Sequence, residues 1–378
     1  MPDPDKARAF EAMDRLLVTG ATGFLGGAIA AQLLQEGRIE ETLLLVRAAT
    51  PAEGLQRIAE RLRLFGVAED IIATLSERNV LLGDLANFPA ADPRLQQVTA
   101  VINCAAVASF GDHPRIWSTN VDHTLAFARQ ASVWPGLRRF LHVGTAMSCG
   151  MQAPSPVPED YDAGDKAEHV VSYTESKAAV EARMRSELPD LPLVVARPSI
   201  VVGHTRLGCK PSPSIFWVFR MGLAMRMFLC APEDRIDVIP VDYCASALLA
   251  LARKPVLKYD RYHIAAGEAG SCNFREIESG IAEALGVPPM DDYRQVGMEE
   301  ISALQPRFQE LFGRCIPWMM LRAIELYGGF ASLDIIFANS HLLAEGIAPP
   351  PRFTDYIANC ALTAAGGTIA EQMMVDFK

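Results

Sequence analysis

The sequence predicts an α/β fold: a doubly wound, largely parallel sheet of Rossmann type, followed by a smaller, mostly helical C-terminal part. Three observations carry that expectation. The apolar run 16–18 leads into Thr-Gly-Ala-Thr-Gly-Phe-Leu-Gly-Gly at 19–27 and then into 28–34, where apolar residues recur with helical period. From there to about residue 267, short apolar runs alternate with helical stretches, as parallel strands joined by crossovers require. From Ser271 the alternation stops and helical patterning takes over.

The first strand, 16–18, feeds a turn in which Gly20, Gly23 and Gly26 let the backbone bend sharply and come close to a ligand. The helix that follows presents free N–H groups at the positive end of its dipole, where a pyrophosphate is stabilised. Gly20, Gly23 and Gly26, with Thr22 in the same turn, are therefore candidate dinucleotide contacts, against the plainer reading of a tight turn that binds nothing. Residues 42–46 read as a second strand, 53–65 as a helix, 79–82 and 99–104 as strands, and 119–132 as a helix. Then come a strand at 140–143, a helix at 173–188 and a strand at 193–196. Late strands are expected at 236–239 and 262–265, around a helix at 244–252. This organisation assigns 1–213 and 232–267 to a cofactor-binding domain, and 214–231 with 268–378 to a helical substrate-binding part.

Composition excludes some partners. With 35 Lys and Arg against 45 Asp and Glu, the formal net charge of −10 argues against nucleic acid or an anionic membrane as the main partner. The eight cysteines are scattered, with no CxxC pair and no metal-ligand spacing, so they read as small buried apolar residues in a reducing compartment. The charged stretch 1–10 lacks the basic-then-apolar form of a secretion signal, and a cytoplasmic location is expected. No run reaches the roughly 18 apolar residues of a spanning helix. The nearest are 214–231, interrupted by Arg220 and Arg226, and 316–338, interrupted by Arg322, Glu325 and Asp334. Core packing is the default reading of both, with an apolar ligand or peripheral membrane contact as alternatives. Phe216, Trp217 and Met221 are the candidate substrate contacts within the first.

The chemistry lies in Tyr173-Thr174-Glu175-Ser176-Lys177. Tyrosine and lysine four apart share a helix face, and a nearby ammonium is expected to bring the phenol, with its ordinary pKa of about 10, toward a useful range. Upstream, the strand 140–143 runs into Gly144-Thr145-Ala146, which places the Thr145 hydroxyl at the carboxyl end of a strand, where open α/β sheets bind ligands. The second strand ends in Arg47, where an NAD site usually has an acid for the ribose hydroxyls; arginine suits a 2′-phosphate instead, and so favours NADPH. No metal site is expected.

TGATGFLG, LVRA, GDL at 83–85, NCAA at 103–106, NV at 120–121, HVGTA at 142–146, YTESK at 173–177 and ARPSIVVG at 196–203 occur in the order of the extended short-chain dehydrogenases/reductases. The set resembles the thioester-reductase and fatty acyl-CoA reductase branch, the "male sterility" NAD-binding family, over about residues 15–267. The resemblance implies that Thr145 and Tyr173 hydrogen-bond the reacting oxygen, that Lys177 orders the nicotinamide ribose, and that Asn120 belongs to the structural and proton-relay part of the site. It places Gly20, Gly23, Phe24, Leu25 and Arg47 on the adenosine diphosphate half. Asp84 and Leu85 fall at the adenine, Ala105 and Ala106 at the middle of the cofactor, and Pro198, Ser199 and Ile200 beside the nicotinamide. The implied activity is reduction of an acyl thioester, on coenzyme A or a carrier protein, to the aldehyde, or with a second hydride to the alcohol, both end products being open. The sequence departs from the pattern at Gly144, in place of a serine, at Asn103, in place of a frequent histidine, and in a shorter C-terminal part. Ketone or aldehyde reduction, hydroxysteroid oxidation and sugar-nucleotide epimerisation on the same scaffold are the enzymatic alternatives; a dinucleotide-sensing protein, which has no use for Thr145, Tyr173 and Lys177 together, is the non-enzymatic one.

Overall fold

The computed structural model describes residues 15–111, 113–164, 166–289 and 292–376; the N-terminal stretch read for a secretion signal lies outside them. Strands β1 (Arg15–Thr19), β2 (Thr42–Val46), β3 (Val80–Leu82), β4 (Val98–Asn103), β5 (Arg139–Val143), β6 (Leu193–Pro198) and β7 (Arg261–Ile264) form one parallel sheet in the order β7-β6-β5-β4-β1-β2-β3. The order reverses between β1 and β4, which opens a crevice at their carboxyl ends. Side chains alternate across the sheet as its pleat dictates. Leu16 and Val18 pack on one face with Ile102 and Leu141, while Leu17 packs on the other with Val101 and Phe140. Both faces are covered, which is why the strands read as unbroken apolar runs.

Helices α1 (Phe24–Gln35) and α2 (Pro51–Leu64) follow β1 and β2. Thr50 caps α2 by accepting the Glu53 N–H at 3.2 Å, and Pro51 sits at its first turn, where no hydrogen bond is lost. Helix α3 (Thr124–Ala131) is preceded by a π-helical turn, Ser118–His123, so the single helix expected at 119–132 is irregular in its first half. Helices α4 (Ser172–Glu187), α5 (Phe216–Met225), α6 (Val241–Arg253), α7 (Phe274–Leu285), α8 (Pro317–Ala331) and α9 (Phe353–Ala364) complete the framework.

The strand expected at 236–239 is divided. Arg235–Ile236 pairs antiparallel with Cys272–Asn273, and Val238–Ile239 pairs parallel with Ile200–Val201, both outside the main sheet. The break falls at Asp237, whose buried carboxylate accepts the N–H groups of Ala266 at 2.7 Å, Gly267 at 3.1 Å and Phe337 at 3.4 Å. The Asp237 backbone carbonyl accepts the Ile200 N–H at 3.2 Å while its side chain ties down these loops, so the chain changes strand partner at this residue.

A separate apolar cluster joins α5, α7, α8 and α9, and it takes up both long apolar stretches. Trp217 meets Tyr327 edge-on at 4.9 Å between ring centroids, and Phe219 lies 5.3 Å from Phe353. Among the described residues, no helix is long and apolar enough to cross a membrane. All eight cysteines are free, six of them buried.

Candidate active site

The glycine turn sits at the crevice between β1 and β4. Gly20 adopts φ +72°, and a Cβ there would lie 3.0 Å from the Ala105 nitrogen. A Cβ on Gly26 would stand 2.2 Å from the Gly20 carbonyl oxygen, so helix and turn touch backbone to backbone. No side chain caps α1, and its first N–H groups are left for an anion. The Thr19 hydroxyl donates to Asn103 Oδ1 at 2.6 Å and accepts the Ala105 N–H at 3.0 Å, fastening the two lips of the crevice. These features fit a dinucleotide pyrophosphate: only glycine leaves the space that its close approach requires.

Two arginines of α2 support this region, and sequence reasoning missed both. Arg61 donates through Nε to the Thr22 carbonyl at 2.9 Å and through Nη1 to the Pro211 carbonyl at 3.1 Å, its stem lying over Gly27. Arg57 donates to the Arg47 carbonyl, which brings a second guanidinium to the end of β2. The signal was the helical spacing of Arg57 and Arg61 on a helix that follows β2 directly.

Tyr173 and Lys177 project from the first turns of α4. Lys177 is buried and its ammonium donates to the Val143 carbonyl at 2.8 Å, at the carboxyl end of β5. Burial pushes the lysine down to about 8 and the Tyr173 phenol up to about 12. The lowering of the tyrosine expected from spacing alone does not emerge: burial alone sets the direction of its shift. Tyr173 is therefore a neutral O–H donor at physiological pH. Thr145 stands nearby at the end of β5; its Oγ accepts the Met147 N–H at 3.3 Å, which leaves its own proton to donate.

Asn120 holds this arrangement from behind. Its Oδ1 accepts the Val107 N–H at 2.8 Å, and its Nδ2 donates to the Val107 carbonyl at 3.0 Å and to Ser176 Oγ at 3.1 Å. Ser176 in turn donates to the Tyr173 carbonyl at 2.7 Å. The amide thus pins the loop after β4 to α4, from a π-helical turn of the kind found at functional sites. His142 accepts from the Asn103 amide at 3.3 Å, and burial holds it neutral.

One cavity of about 390 Å³ joins these parts. Gly20, Gly23, Phe24, Leu25, Gly26, Ala106, Thr145, Tyr173, Lys177, Pro198, Ser199 and Ile200 all line it. Ala105 and Asn120 stand behind that surface, bonded as above. Arg47, Asp84 and Leu85 lie outside the cavity. Arg47 is exposed at the end of β2, the Asp84 carboxylate accepts the Asn87 N–H at 2.8 Å, and Leu85 packs into the core. Thr22 lies in the glycine turn, where its carbonyl accepts from Arg61, and does not line the cavity. Of the candidate substrate contacts, Phe216, Trp217 and Met221 are fully buried in the C-terminal cluster and do not line the cavity. Helix α5 turns a neighbouring face inward, with Ile215, Val218 and Phe219 on it. Phe110, Tyr327 and Phe330 complete the apolar wall, the Phe110 ring 4.8 Å from Tyr327, 4.9 Å from Phe330 and 6.1 Å from Tyr173. Phe110, four residues beyond NCAA, was missed from the sequence. Among the described residues, no group of His, Cys, Asp or Glu is placed to hold a metal ion.

Residues 18–248 match the family model described as male sterility protein, an NAD-binding family. Aldehyde reductase lnaA of Aspergillus flavus is 26% identical over 277 residues, covering 66% of this chain and 25% of its own. Human (Homo sapiens) fatty acyl-CoA reductase 2 is 26% identical over 318 residues, covering 71% of this chain and 61% of its own. The chain thus spans only part of the length of these curated relatives. In fold it is similar to the terminal R domain from the myxalamid PKS-NRPS biosynthetic pathway, with a TM-score of 0.74 at 20% identity over 94% of this chain and 91% of that one. Since the family match takes in more than half of the residues, and with them the glycine turn, Thr145, Tyr173 and Lys177, the protein belongs to the male sterility NAD-binding family.

Proposed function

We propose that the protein is an NADPH-dependent reductase of acyl thioesters, carried on coenzyme A or a carrier protein, with aldehyde as its first product. The observation that carries this reading is the position of Thr145 and Tyr173, two hydroxyl donors at the junction between the glycine cradle and an apolar chamber. In this reading, 214–231 and 268–378 form the substrate-binding part.

When bound, NADPH supplies the hydride that adds to the acyl carbonyl carbon. The protein's task is the oxygen. Thr145 and Tyr173 donate to it as negative charge develops, in a pocket where fixed donors act with little competition from water. Tyr173, held neutral by burial, gives up its proton, and the hemithioacetal collapses to aldehyde and thiol. Lys177, fixed on the Val143 carbonyl, lies one helical turn from the phenol, where it can order the nicotinamide ribose and stabilise the phenolate left after proton transfer. A cysteine nucleophile is disfavoured: Cys104, beside the cavity, is pushed up to about 12 by burial, so its thiolate is scarce.

The deciding experiment follows NADPH oxidation with acyl-coenzyme A and acyl-carrier thioesters while free thiol is measured. Thiol released in step with hydride consumption is expected. Oxidation with free aldehydes or ketones but with no thioester would overturn the reading in favour of a simple carbonyl reductase.

Arg47, with Arg57 beside it, is the group proposed to meet the 2′-phosphate. Arg47→Ala is expected to weaken NADPH binding by roughly 1.5–3 kcal/mol, the usual worth of a hydrogen bond to a charged group, and to leave NADH affinity alone. Titration of both cofactors into both proteins checks this; equal efficiency with NADH and NADPH before mutation speaks against it.

A further inference from the structure

Behind the apolar wall lies a second hollow of about 20 Å³, little more than the space of one water. It runs between α5 and α7, and Val218, Phe219 and Phe274 border both it and the main cavity. The partition is made of side chains: the Phe219 and Phe274 rings stand 6.4 Å apart, tilted at 42°, and neither belongs to the oxygen-binding group. Beyond it, α5 offers Gly222 and α7 offers Ile277, each one turn further along the same face. A Cβ on Gly222 would meet nothing nearer than Tyr293 Cε2 at 3.9 Å, so the floor of the hollow is open. From Ile215, in the main cavity, to Gly222 the helix rises roughly 10 Å.

We infer that the distal end of an acyl chain crosses this partition and lies along α5 in the hollow, so that Phe219 and Phe274 determine which chain lengths the enzyme takes. The inference rests on the thioester-reductase reading. Chains that end before the partition leave the two rings in place. A longer chain must first turn them aside, a cost independent of its length that also opens the one-water hollow by the space the rings leave, and then gains about fourfold in affinity for each further methylene buried there. Efficiency is therefore expected to dip at an intermediate length and rise beyond it.

The test measures kcat/KM on N-acetylcysteamine thioesters from butanoyl to dodecanoyl. Gly222→Leu fills the hollow without touching the main cavity; it is expected to lower efficiency on the dodecanoyl ester about tenfold or more and to leave the butanoyl ester unchanged, which also certifies the fold. Phe219→Ala opens the partition and is expected to raise the dodecanoyl-to-butanoyl ratio. It decides alone if Gly222→Leu does not fold. A ratio that moves in neither variant overturns the inference and leaves thioester reduction standing. If the unmodified protein reduces no thioester, calorimetric binding of the same series separates the two ideas: length-dependent affinity abolished by Gly222→Leu supports the hollow while the activity reading fails, and affinity indifferent to Gly222→Leu overturns the hollow as well.

Discussion

Replacing Tyr173 by phenylalanine is expected to lower turnover by a factor on the order of 10² or more, with NADPH affinity nearly unchanged. The size follows from the two duties the phenol holds at once. Loss of one preorganised donor to a developing oxyanion costs about 10²–10³, and loss of a general acid about 10²–10⁴. The two overlap in a single hydroxyl and are not to be multiplied. Shape is preserved, because the ring keeps its place 6.1 Å from Phe110 and the residue's backbone carbonyl keeps its bond from Ser176. Single-turnover rates and a cofactor titration on the same sample provide the check. Retention of most of the turnover on a thioester would show that the oxygen is held elsewhere. Thr145→Ala is the companion measurement: it removes a donor but not the acid, so a smaller loss than that of Tyr173→Phe is expected.

Lys177 makes a poorer probe. Its ammonium satisfies the Val143 carbonyl at the carboxyl end of β5, so truncation leaves a buried acceptor unpaired beside Thr145. Any fall in turnover then mixes lost chemistry with a displaced strand end. The phenol carries no such structural burden.

What the sequence made legible was whatever is local. The glycine turn and the Tyr173–Lys177 pair are fixed by spacing along one strand–turn–helix and one helix, and both line the cavity. Strand positions within the main sheet were readable because both of its faces are covered. The apolar wall was not readable in the same way. Helix α5 is apolar almost all round, so its composition cannot say that Val218 and Phe219 face the cavity while Phe216, Trp217 and Met221 face the core. That choice is made by α7, α8 and α9, which are distant in sequence. The same holds for Asp237, whose three amide partners come from segments near 266 and 337. Arg61 belongs here too: reaching over Gly27 to Thr22 depends on how α2 packs against α1.

Gly26→Ala is expected to abolish NADPH binding in the range where the unmodified protein saturates, a loss on the order of 10² or more in affinity, and to destabilise the fold by about 1–3 kcal/mol, as overpacking against rigid atoms does. The added methyl would stand 2.2 Å from the Gly20 oxygen, 2.6 Å from the Gly20 carbon and 3.0 Å from the Ala21 nitrogen. All three are backbone atoms, so no side chain can swing aside. Gly20 cannot yield either: it is itself at φ +72°, packed against Ala105, whose N–H is tied to Thr19. The displacement must therefore pass into the turn that forms the proposed cradle. Gly37→Ala supplies the control. It too has a positive φ, +67°, but nothing lies within 4 Å of the new methyl, so it carries backbone strain alone, about 1 kcal/mol, and no effect on the cofactor. Thermal unfolding and NADPH titration of both variants separate the two causes. Stability lost in both with binding lost only in Gly26→Ala is the expected pattern, whereas near-normal NADPH affinity in a folded Gly26→Ala protein would remove the glycine turn from the cofactor site.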